Sequence, residues 1–169
     1  PVIGLVPFSD TLSVPRISDL AAHISAEWIN RGEATQRRVL HSSLIASNIE
    51  HELNKFVAGE LIISASDRID VLLASSLASS NGIPLAGLVL TEHHEPNASV
   101  LAFCQTAIKN GLPILHTPLS TFETAQSLSN LSNEIPVDDT ERAEQVSRFV
   151  SSHLNADWIA LLLNGSYKP

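Results

Sequence analysis

Apolar and polar positions along the chain alternate in a way that predicts short buried strands separated by helices. Three apolar runs stand out, at residues 61–65, 85–91 and 112–117, and a helical pattern follows each of them. Short continuous apolar strands that alternate with helices are typical of βαβ crossovers, which place the strands parallel in one sheet. The pattern therefore predicts an α/β fold with a mostly parallel β-sheet and helices on both faces.

Glycines and capping residues set the ends of the predicted helices. The first two, over residues 67–80 and about 97–110, stop at Gly82 and Gly111. Serine or aspartate three residues before glutamate forms a capping box, and two such boxes open further helices: Ser120 with Glu123, and Asp138 with Glu141. These end signals agree with the alternation of strands and helices.

The amino-terminal stretch is patterned differently. Residues 2–6 are predicted to form a strand, and a helix that stops at Gly32 has apolar residues at intervals of three and four: Ile17, Leu20, Ala21, Ile24 and Trp28. One strand and one helix cannot close a core. Residues 1–36 are therefore interpreted as the remnant and linker of a preceding domain.

The main domain is predicted to span residues 37–163, with 164–169 as a linker toward a further domain. It begins with a strand over residues 39–46 and a helix over residues 49–59, which a capping box of Ser47 with Glu50 would open. Methionine is absent, even at position 1, which indicates that the chain is part of a longer polypeptide.

Composition and charge exclude several kinds of partner. The chain is 44% hydrophobic and 17% charged, within the range of folded domains. Its net charge is −8 and its longest basic run is Arg37-Arg38, so it lacks the basic stripe that nucleic acid requires. No apolar stretch reaches the roughly 20 residues that span a bilayer. Cys104 is the only cysteine, which fits a reducing cytoplasm.

Candidate chemistry lies where the predicted strands end, because ligands of open α/β sheets bind beyond the carboxyl ends of the strands. Asp67 and Arg68 follow one strand and open a helix, where free amides and a guanidinium favour an anion. The alternative is that Asp67 complements the helix dipole and Arg68 pairs with it or with Asp70.

The other chemical candidates favour structural interpretations. His93 and His94, beside Glu92 and Glu95, superficially suggest a metal site. Adjacent residues of a loop seldom aim at one ion and no HExxH spacing exists, so no metal is predicted. Cys104 is predicted to pack in the core. The Asp138-Asp139 pair is explained by the helix cap assigned to Asp138.

The residues alone leave three functions open. The chain has no phosphate-binding or dinucleotide-binding glycine motif and no nucleophile elbow, so no cofactor is predicted. A binding or regulatory domain, a small-molecule-processing enzyme with catalytic groups in the loops at 64–70, 91–97 and 116–122, and a ligand-free spacer all fit the pattern.

Two segments resemble the middle region of long-form bacterial phosphate acetyltransferases. They are ISASDRIDVLLASSLASSNGIPLAGLVLTEHHEPN and NEIPVDDTERAEQVSRFVSSHLNADWI. In that family S-A-D-R-x-D-V-L, L-L-L-T-G-G and V-P-V-D-D-x-E-R…N-A-D-W-I recur in this order. The resemblance runs through nearly the whole chain. The stretches PVIGLVPFSD and NRGEATQRRV resemble the link that leaves a dethiobiotin-synthetase-like domain.

The middle region of these enzymes is a DRTGG domain, and its Asp-Arg and Thr-Gly-Gly residues map onto Asp67-Arg68 and Thr91-Glu92-His93. The second half departs from the motif. Glycine permits a positive φ and lets a ligand come close to the backbone. The side chains of Glu92 and His93 stand against any ligand that needs such a close approach. The predicted ligand or subunit contacts at the strand ends are Asp67, Arg68, Thr91, Glu92, His93 and Thr117.

The resemblance implies a three-layer α/β/α domain with a regulatory and structural role and no catalysis of its own. The implied full-length enzyme converts acetyl-CoA and phosphate to CoA and acetyl phosphate, in acetate metabolism, with its chemistry in a carboxyl-terminal domain. The implied partners are other domains of the same chain, further copies in a homo-oligomer, and a small-molecule metabolite effector.

Overall fold

The computed structural model divides the chain into two units. The described residues are 4–92, 96–131, 134–155 and 159–160. One unit is Val14–Ser132, and the other combines Pro1–Ser13 with Asn133–Pro169. The strands predicted from the apolar runs all lie in the first of these, which is called the sheet unit below.

The described part of the sheet unit forms a five-stranded sheet. Its strands are β1 Glu27–Asn30, β2 His41–Leu44, β3 Glu60–Ala65, β4 Gly87–Thr91 and β5 Ile114–Thr117. They lie in the order β1-β5-β4-β3-β2. Strands β2 to β5 are parallel, and β1 at one edge runs antiparallel to β5. The prediction of a mostly parallel sheet is confirmed.

Helices cover both faces of this sheet. They are α1 Ile17–His23, α2 Ile69–Ser80, α3 Ala98–Phe103, α4 Gln105–Lys109 and α5 Thr121–Ser129. Residues of α2 and α4 pack with Ile62 on one face, and residues of α1 and α5 pack with Leu61 on the other. Successive residues of a strand point to opposite faces, so one apolar run supplies both cores. The predicted three-layer arrangement is confirmed.

The helix predicted to stop at Gly32 is shorter than its apolar pattern. α1 ends at His23, because Ser25 adopts a left-handed conformation with φ 51° and the N–H of Ala26 donates to the carbonyl oxygen of Ala21 at 3.0 Å. This closure is typical of a Schellman cap. Trp28 lies in β1, which pairs with β5.

The boundary predicted at residue 36 does not coincide with a division in the structure. Residues from Val14 onward belong to the sheet unit, and Ile17 and Trp28 pack in its core. The derivation of the amino-terminal segment from a preceding domain stays a prediction. Of the strand predicted over residues 2–6, residues 1–3 lie outside the described part, and Gly4 makes an isolated bridge with Leu154.

The helix predicted over residues 49–59 is replaced by two 3-10 turns, Ile49–His51 and Leu53–Lys55. Asn48 caps the first turn, since its side chain accepts a hydrogen bond from the N–H of Glu50 at 3.2 Å. Ser47 was the predicted cap, but its hydroxyl donates to the carboxylate of Glu52. The helix predicted over residues 97–110 is interrupted at Cys104, which is buried as expected.

The second unit contains a 3-10 helix, Asp10–Ser13, and helix α6, Thr140–Ser152. The side chain of Asp139 caps α6 by accepting from the N–H of Arg142 at 3.2 Å, so the cap lies one residue after the predicted Asp138. Arg142 is buried, and its Nε donates to the carbonyl oxygen of Leu12 at 2.7 Å. Asp139 and Arg142 therefore have structural roles within this unit.

Candidate functional site

The carboxyl ends of β3, β4 and β5 lie side by side, with Ala65 opposite Thr91 and Thr91 opposite Thr117. This edge is where ligands of open α/β sheets bind. Five of the six predicted contact residues are described there. The sixth, His93, lies outside the described residues together with its neighbours His94 and Glu95.

At the end of β3, Arg68 forms a two-pronged ion pair with Asp70. Its Nε is 2.9 Å from Oδ1 of Asp70, and its Nη2 is 2.8 Å from Oδ2. The same guanidinium donates to the carbonyl oxygen of Ser47 at 2.9 Å, just beyond β2. This geometry matches the second of the two sequence interpretations, in which Arg68 pairs with an acidic neighbour.

The pair is partly open to solvent, with side-chain exposures of 26% for Arg68 and 43% for Asp70. The hydrogen bonds between them raise the pKa of Arg68 and lower the pKa of Asp70. Asp67 is exposed, and its charge adds to the rise in the pKa of Arg68. An anion that reaches this guanidinium must therefore compete with the carboxylate of Asp70.

At the end of β4, Thr91 is fully buried. Its hydroxyl oxygen lies 2.7 Å from that of Thr121, at the start of α5, and donates toward the carbonyl oxygen of Ser64 at 3.3 Å. This threonine therefore ties together the ends of two strands and the first turn of a helix. Its role in the structure is to hold the edge rather than to face solvent.

Glu92 follows Thr91 in a left-handed conformation with φ 77°. Its N–H donates to the carbonyl oxygen of Leu119 at 2.9 Å, which holds the turn in place. For a residue with a Cβ atom this conformation costs roughly 1–2 kcal/mol. In the DRTGG motif a glycine stands here, and Glu92 adopts a conformation that glycine reaches without strain, with its acidic side chain exposed.

At the end of β5, Thr117 is buried and its hydroxyl donates to the carbonyl oxygen of Ile24 at 3.1 Å. The predicted capping box of Ser120 with Glu123 is confirmed: Ser120 donates from N at 2.9 Å and from Oγ at 2.7 Å to Oε2 of Glu123. These bonds lower the pKa of Glu123. The first turn of α5 is thus satisfied within the chain.

A small cavity of about 210 Å³ opens beside β1, the end of β5 and α3. Its lining residues are Glu27, Trp28, Ile29, Pro96, Leu101 and His116. His116 is almost buried, and its Nε2 donates to the carbonyl oxygen of Glu92 at 2.7 Å, since a carbonyl can only accept. Cavities for drug-sized ligands are usually about 300–1,000 Å³, so this one suits only a smaller group.

Sequence reasoning missed Glu27 because it assigned this stretch to a helix. Glu27 and His116 are register partners on neighbouring strands. The signal that favours a strand is the alternation of Glu27, Trp28 and Ile29, since Trp28 packs with one core and Ile29 with the other. His116 belonged to a predicted strand-end loop but was not singled out.

Metal and membrane chemistry receive no support from the described residues. Among them, no three His, Cys, Asp or Glu side chains are grouped so that they could hold an ion. None of the helices in the same described part is both long and apolar enough to cross a bilayer.

Known proteins are similar to this chain in sequence and in fold. The DRTGG domain family model matches residues 19–131. Phosphate acetyltransferase of Acinetobacter baylyi is 70% identical over all 169 residues, which make up 24% of that enzyme. Phosphate acetyltransferase of Escherichia coli K12 is 41% identical over 162 residues, or 96% of this chain and 23% of that enzyme. The chain thus spans about a quarter of the length of the curated relatives it matches.

A solved structure with a similar fold contains the CBS and DRTGG domains of the regulatory region of Clostridium perfringens pyrophosphatase, complexed with the activator diadenosine tetraphosphate. The TM-score is 0.55 and the identity 16%, over 82% of this chain and 63% of that one. At this identity the likeness concerns the fold. It agrees with the α/β architecture of the sheet unit.

Proposed function

The chain belongs to the DRTGG domain family, and on that premise we propose that it is a regulatory and structural domain of a phosphate acetyltransferase. The observation that carries the proposal is the 70% identity to such an enzyme over the whole chain, within a stretch that is only 24% of that enzyme. The proposed role is to tune the full-length enzyme, while transferase chemistry belongs to another part of it.

The full-length enzyme would convert acetyl-CoA and phosphate to CoA and acetyl phosphate, in the cytoplasm, as a homo-oligomer. Its activity would respond to a small-molecule effector. The related regulatory region from C. perfringens, which combines DRTGG with CBS domains, was solved with an activator that carries phosphates. This supports an effector role, and the partly exposed guanidinium of Arg68 is a group that binds phosphate or carboxylate well.

The proposed response uses the ion pair at the end of β3. Arg68 precedes the first turn of α2 and also holds the carbonyl oxygen of Ser47. An anionic effector would take the place of Asp70 at the guanidinium and so release the first turn of α2 from this pair. Asp70 then acts as an internal competitor whose removal favours the effector.

Two substitutions with opposite expected effects test this response. In the full-length enzyme, Arg68→Ala should weaken the response to anionic effectors, while Asp70→Asn should strengthen it, because the competing carboxylate is gone. Basal transfer should stay largely unchanged. The measurement is the effector dose response of acetyl transfer, with diadenosine tetraphosphate among the anions tried.

The matched control is Arg148→Ala. Arg148 forms an exposed ion pair with Glu144 at 3.0 Å on α6, which belongs to the other unit of the chain. Its dose response should follow the wild type. Superimposable curves for Arg68→Ala, Asp70→Asn and wild type would overturn the effector role of this pair. Binding is checked independently by thermal shift of the chain, where a ligand at 100 times its Kd adds roughly 2.7 kcal/mol of stability.

The absence of transferase chemistry is tested separately. The purified 169-residue chain should form no acetyl-CoA from acetyl phosphate and CoA above a matched blank in a coupled assay. Turnover by this chain alone would contradict the assignment of the chemistry to another domain.

A further inference from the structure

The small cavity beside β1, called the β1 cavity below, lies at an irregularity of the sheet. Glu27 pairs with His116, but the register between β1 and β5 shifts between Trp28 and Asn30. This shift leaves Ile29 without a residue opposite it on β5, and Ile29 lines the cavity together with Glu27 and His116. Bulges of this kind often border functional sites, because they change the direction of a side chain.

His116 offers a hydrogen-bond acceptor at the β1 cavity. Its Nε2 carries the hydrogen that is donated to the carbonyl oxygen of Glu92 at 2.7 Å. In a neutral imidazole the other ring nitrogen, Nδ1, is then an acceptor. His116 is only 9% exposed, and Nδ1 has no hydrogen-bond partner among the described residues. Since buried polar atoms in native proteins almost always have partners, this nitrogen is available to a donor that enters the cavity.

Glu27 places a charged acceptor next to this ring. Residues that stand opposite each other in an antiparallel pair have Cβ atoms about 5 Å apart, on the same face of the sheet. The carboxylate of Glu27 makes no hydrogen bond or ion pair within the part of the chain that the structure describes. The wall of the cavity therefore combines a negative charge with an uncharged acceptor, and a positively charged donor would satisfy both.

The other lining residues are mostly apolar. Ile29, Leu101 and Pro96 give the cavity its hydrocarbon surface, and the first two also pack against the core beneath α2. Trp28 lines the cavity as well, but Cζ of Arg31 lies 5.9 Å from the centroid of its ring, so that ring already has a cation beside it. The hydrocarbon surface suits a short alkyl chain, which gains stability when it leaves water.

We propose that the β1 cavity binds a primary ammonium group on a short alkyl chain. The ammonium lies between the carboxylate of Glu27 and Nδ1 of His116, and the alkyl chain contacts Ile29 and Leu101. An ammonium has three donors and no acceptor, so it can bind both groups at once. The volume of about 210 Å³ is below that of cavities for drug-sized ligands, which limits the ligand to a small amine.

Other ligand classes fit this lining less well. A carboxylate or phosphate would meet two acceptors, one of them negatively charged, and the net charge of −8 also disfavours an anion. Zinc sites use at least three protein ligands. No group of three His, Cys, Asp or Glu side chains that could hold an ion occurs among the described residues.

A ligand in the β1 cavity also acts on the end of β4 through His116. The ring that would accept the ammonium holds the carbonyl oxygen of Glu92, the residue in the left-handed turn. Fixing the ring therefore fixes this turn. The inference goes beyond the proposed function, because its ligand is a cation and neither Arg68 nor Asp70 lines this cavity.

An NMR titration of the ¹⁵N-labelled 169-residue chain with propylammonium chloride tests the inference, near pH 8, where histidine side chains are ordinarily neutral. The concentration runs from about 0.1 to about 100 mM at constant ionic strength, the range expected for a ligand with so few atoms. The ring nitrogens of His116 and the amides of Glu92 and Leu101 should shift and saturate together. Propionate and 1-propanol, which have similar size but no positive charge, should not saturate these shifts. Ammonium chloride should bind more weakly, because it lacks the alkyl contact.

Glu27→Gln should weaken the binding of propylammonium by about tenfold or more, because a hydrogen bond to a charged group is lost. Glu27 is exposed, so the fold should not change. The matched control is Glu50→Gln, which removes the same charge from an exposed position outside the lining of the cavity. Its affinity for propylammonium should equal that of the wild type.

Three results would overturn the inference. The first is the lack of saturable shifts around His116 with propylammonium, and the second is equal binding of propionate or 1-propanol. The third is equal affinity of Glu27→Gln and Glu50→Gln, which would exclude the carboxylate of Glu27 as a ligand group. None of these results would alter the anion response of Arg68 and Asp70, which tests the proposed function separately.

Discussion

The end of β3 and the ends of β4 and β5 use polar residues in different ways. At β3, Arg68 and Asp70 form a charged pair that is partly exposed. At β4 and β5, Thr91 and Thr117 are fully buried and bind neighbouring groups of the chain. Breaking the hydrogen bonds of a buried hydroxyl destabilises the fold strongly. An exposed ion pair contributes little to the free energy of unfolding, so its groups can exchange partners. The threonines are therefore part of the framework, and the ion pair is the part to which we assign the proposed ligand response.

The largest expected effect tests whether packed core residues support both groups of strand ends. Leu72 lies on the buried face of α2 and Leu115 lies within β5, and both are almost completely buried. Leu72→Ala and Leu115→Ala should each lower the free energy of unfolding by about 2–5 kcal/mol, because each leaves a cavity in a packed core. Urea denaturation measures this. A loss within about 0.5 kcal/mol, as for surface changes, would show that the end concerned is not supported by that core.

The next effect tests the framework role of the threonines. Thr91→Val keeps the shape of the side chain but removes its bonds to Thr121 and to the carbonyl oxygen of Ser64. We expect a loss of about 1–3 kcal/mol, because buried groups are left unpaired. Thr35→Val, at an exposed threonine, is the control and should stay within about 0.5 kcal/mol. A double-mutant cycle with Thr121→Val should show that the two hydroxyls are coupled.

Glu92 adds to the comparison because its left-handed conformation destabilises the fold at the end of β4. Glu92→Gly should raise the free energy of unfolding by about 0.5–1 kcal/mol, since relief of the left-handed conformation outweighs the greater entropy of glycine in the unfolded chain. Glu92→Ala keeps the Cβ atom and should give no such gain. Equal melting temperatures for the glycine and alanine variants would contradict this explanation.

The smallest effect concerns the ion pair itself. Pairing with Arg68 lowers the pKa of Asp70 in the folded chain, so the pair stabilises the fold above the ordinary pKa of about 3.9 and loses this contribution as the pH falls through the lowered value. At pH 7, Asp70→Asn should cost less than about 1 kcal/mol, because both groups are partly exposed. The difference from wild type should shrink as the pH falls below about 4. A difference that is constant with pH would exclude the charge of Asp70 as its cause.

The central strands and the helices that follow them were predictable because their signals are local. Continuous apolar runs mark β3, β4 and β5, since a strand buried on both faces needs apolar residues at every position. The capping box at Ser120 and the helix that ends near Gly82 were also readable from the chain. At the site, Asp67 and Arg68 were placed correctly at a strand end, and pairing of Arg68 with Asp70 was one of the two interpretations.

The predictions that were wrong concern segments whose local conformation is decided by a contact with a distant part of the chain. An apolar spacing of four from Ile24 to Trp28 suits a helix, but β5 offers β1 an edge to pair with. Asn48 rather than Ser47 caps a short turn because Ser47 bonds to Glu52 instead. The role of Thr91 was beyond the sequence, since its partner Thr121 lies 30 residues away.

The sequence by itself determined the α/β architecture, the order of the central elements along the chain and the family. Apolar periodicity, helix caps and motifs depend only on residues that are close together in the chain. The tertiary structure alone decided that Arg68 binds Asp70 and the carbonyl oxygen of Ser47, that Glu92 adopts a left-handed conformation, and that α2 exposes Leu73 and Leu77. These depend on which parts of the chain meet in space. That outcome is set by the packing of the whole sheet unit, which no local pattern contains.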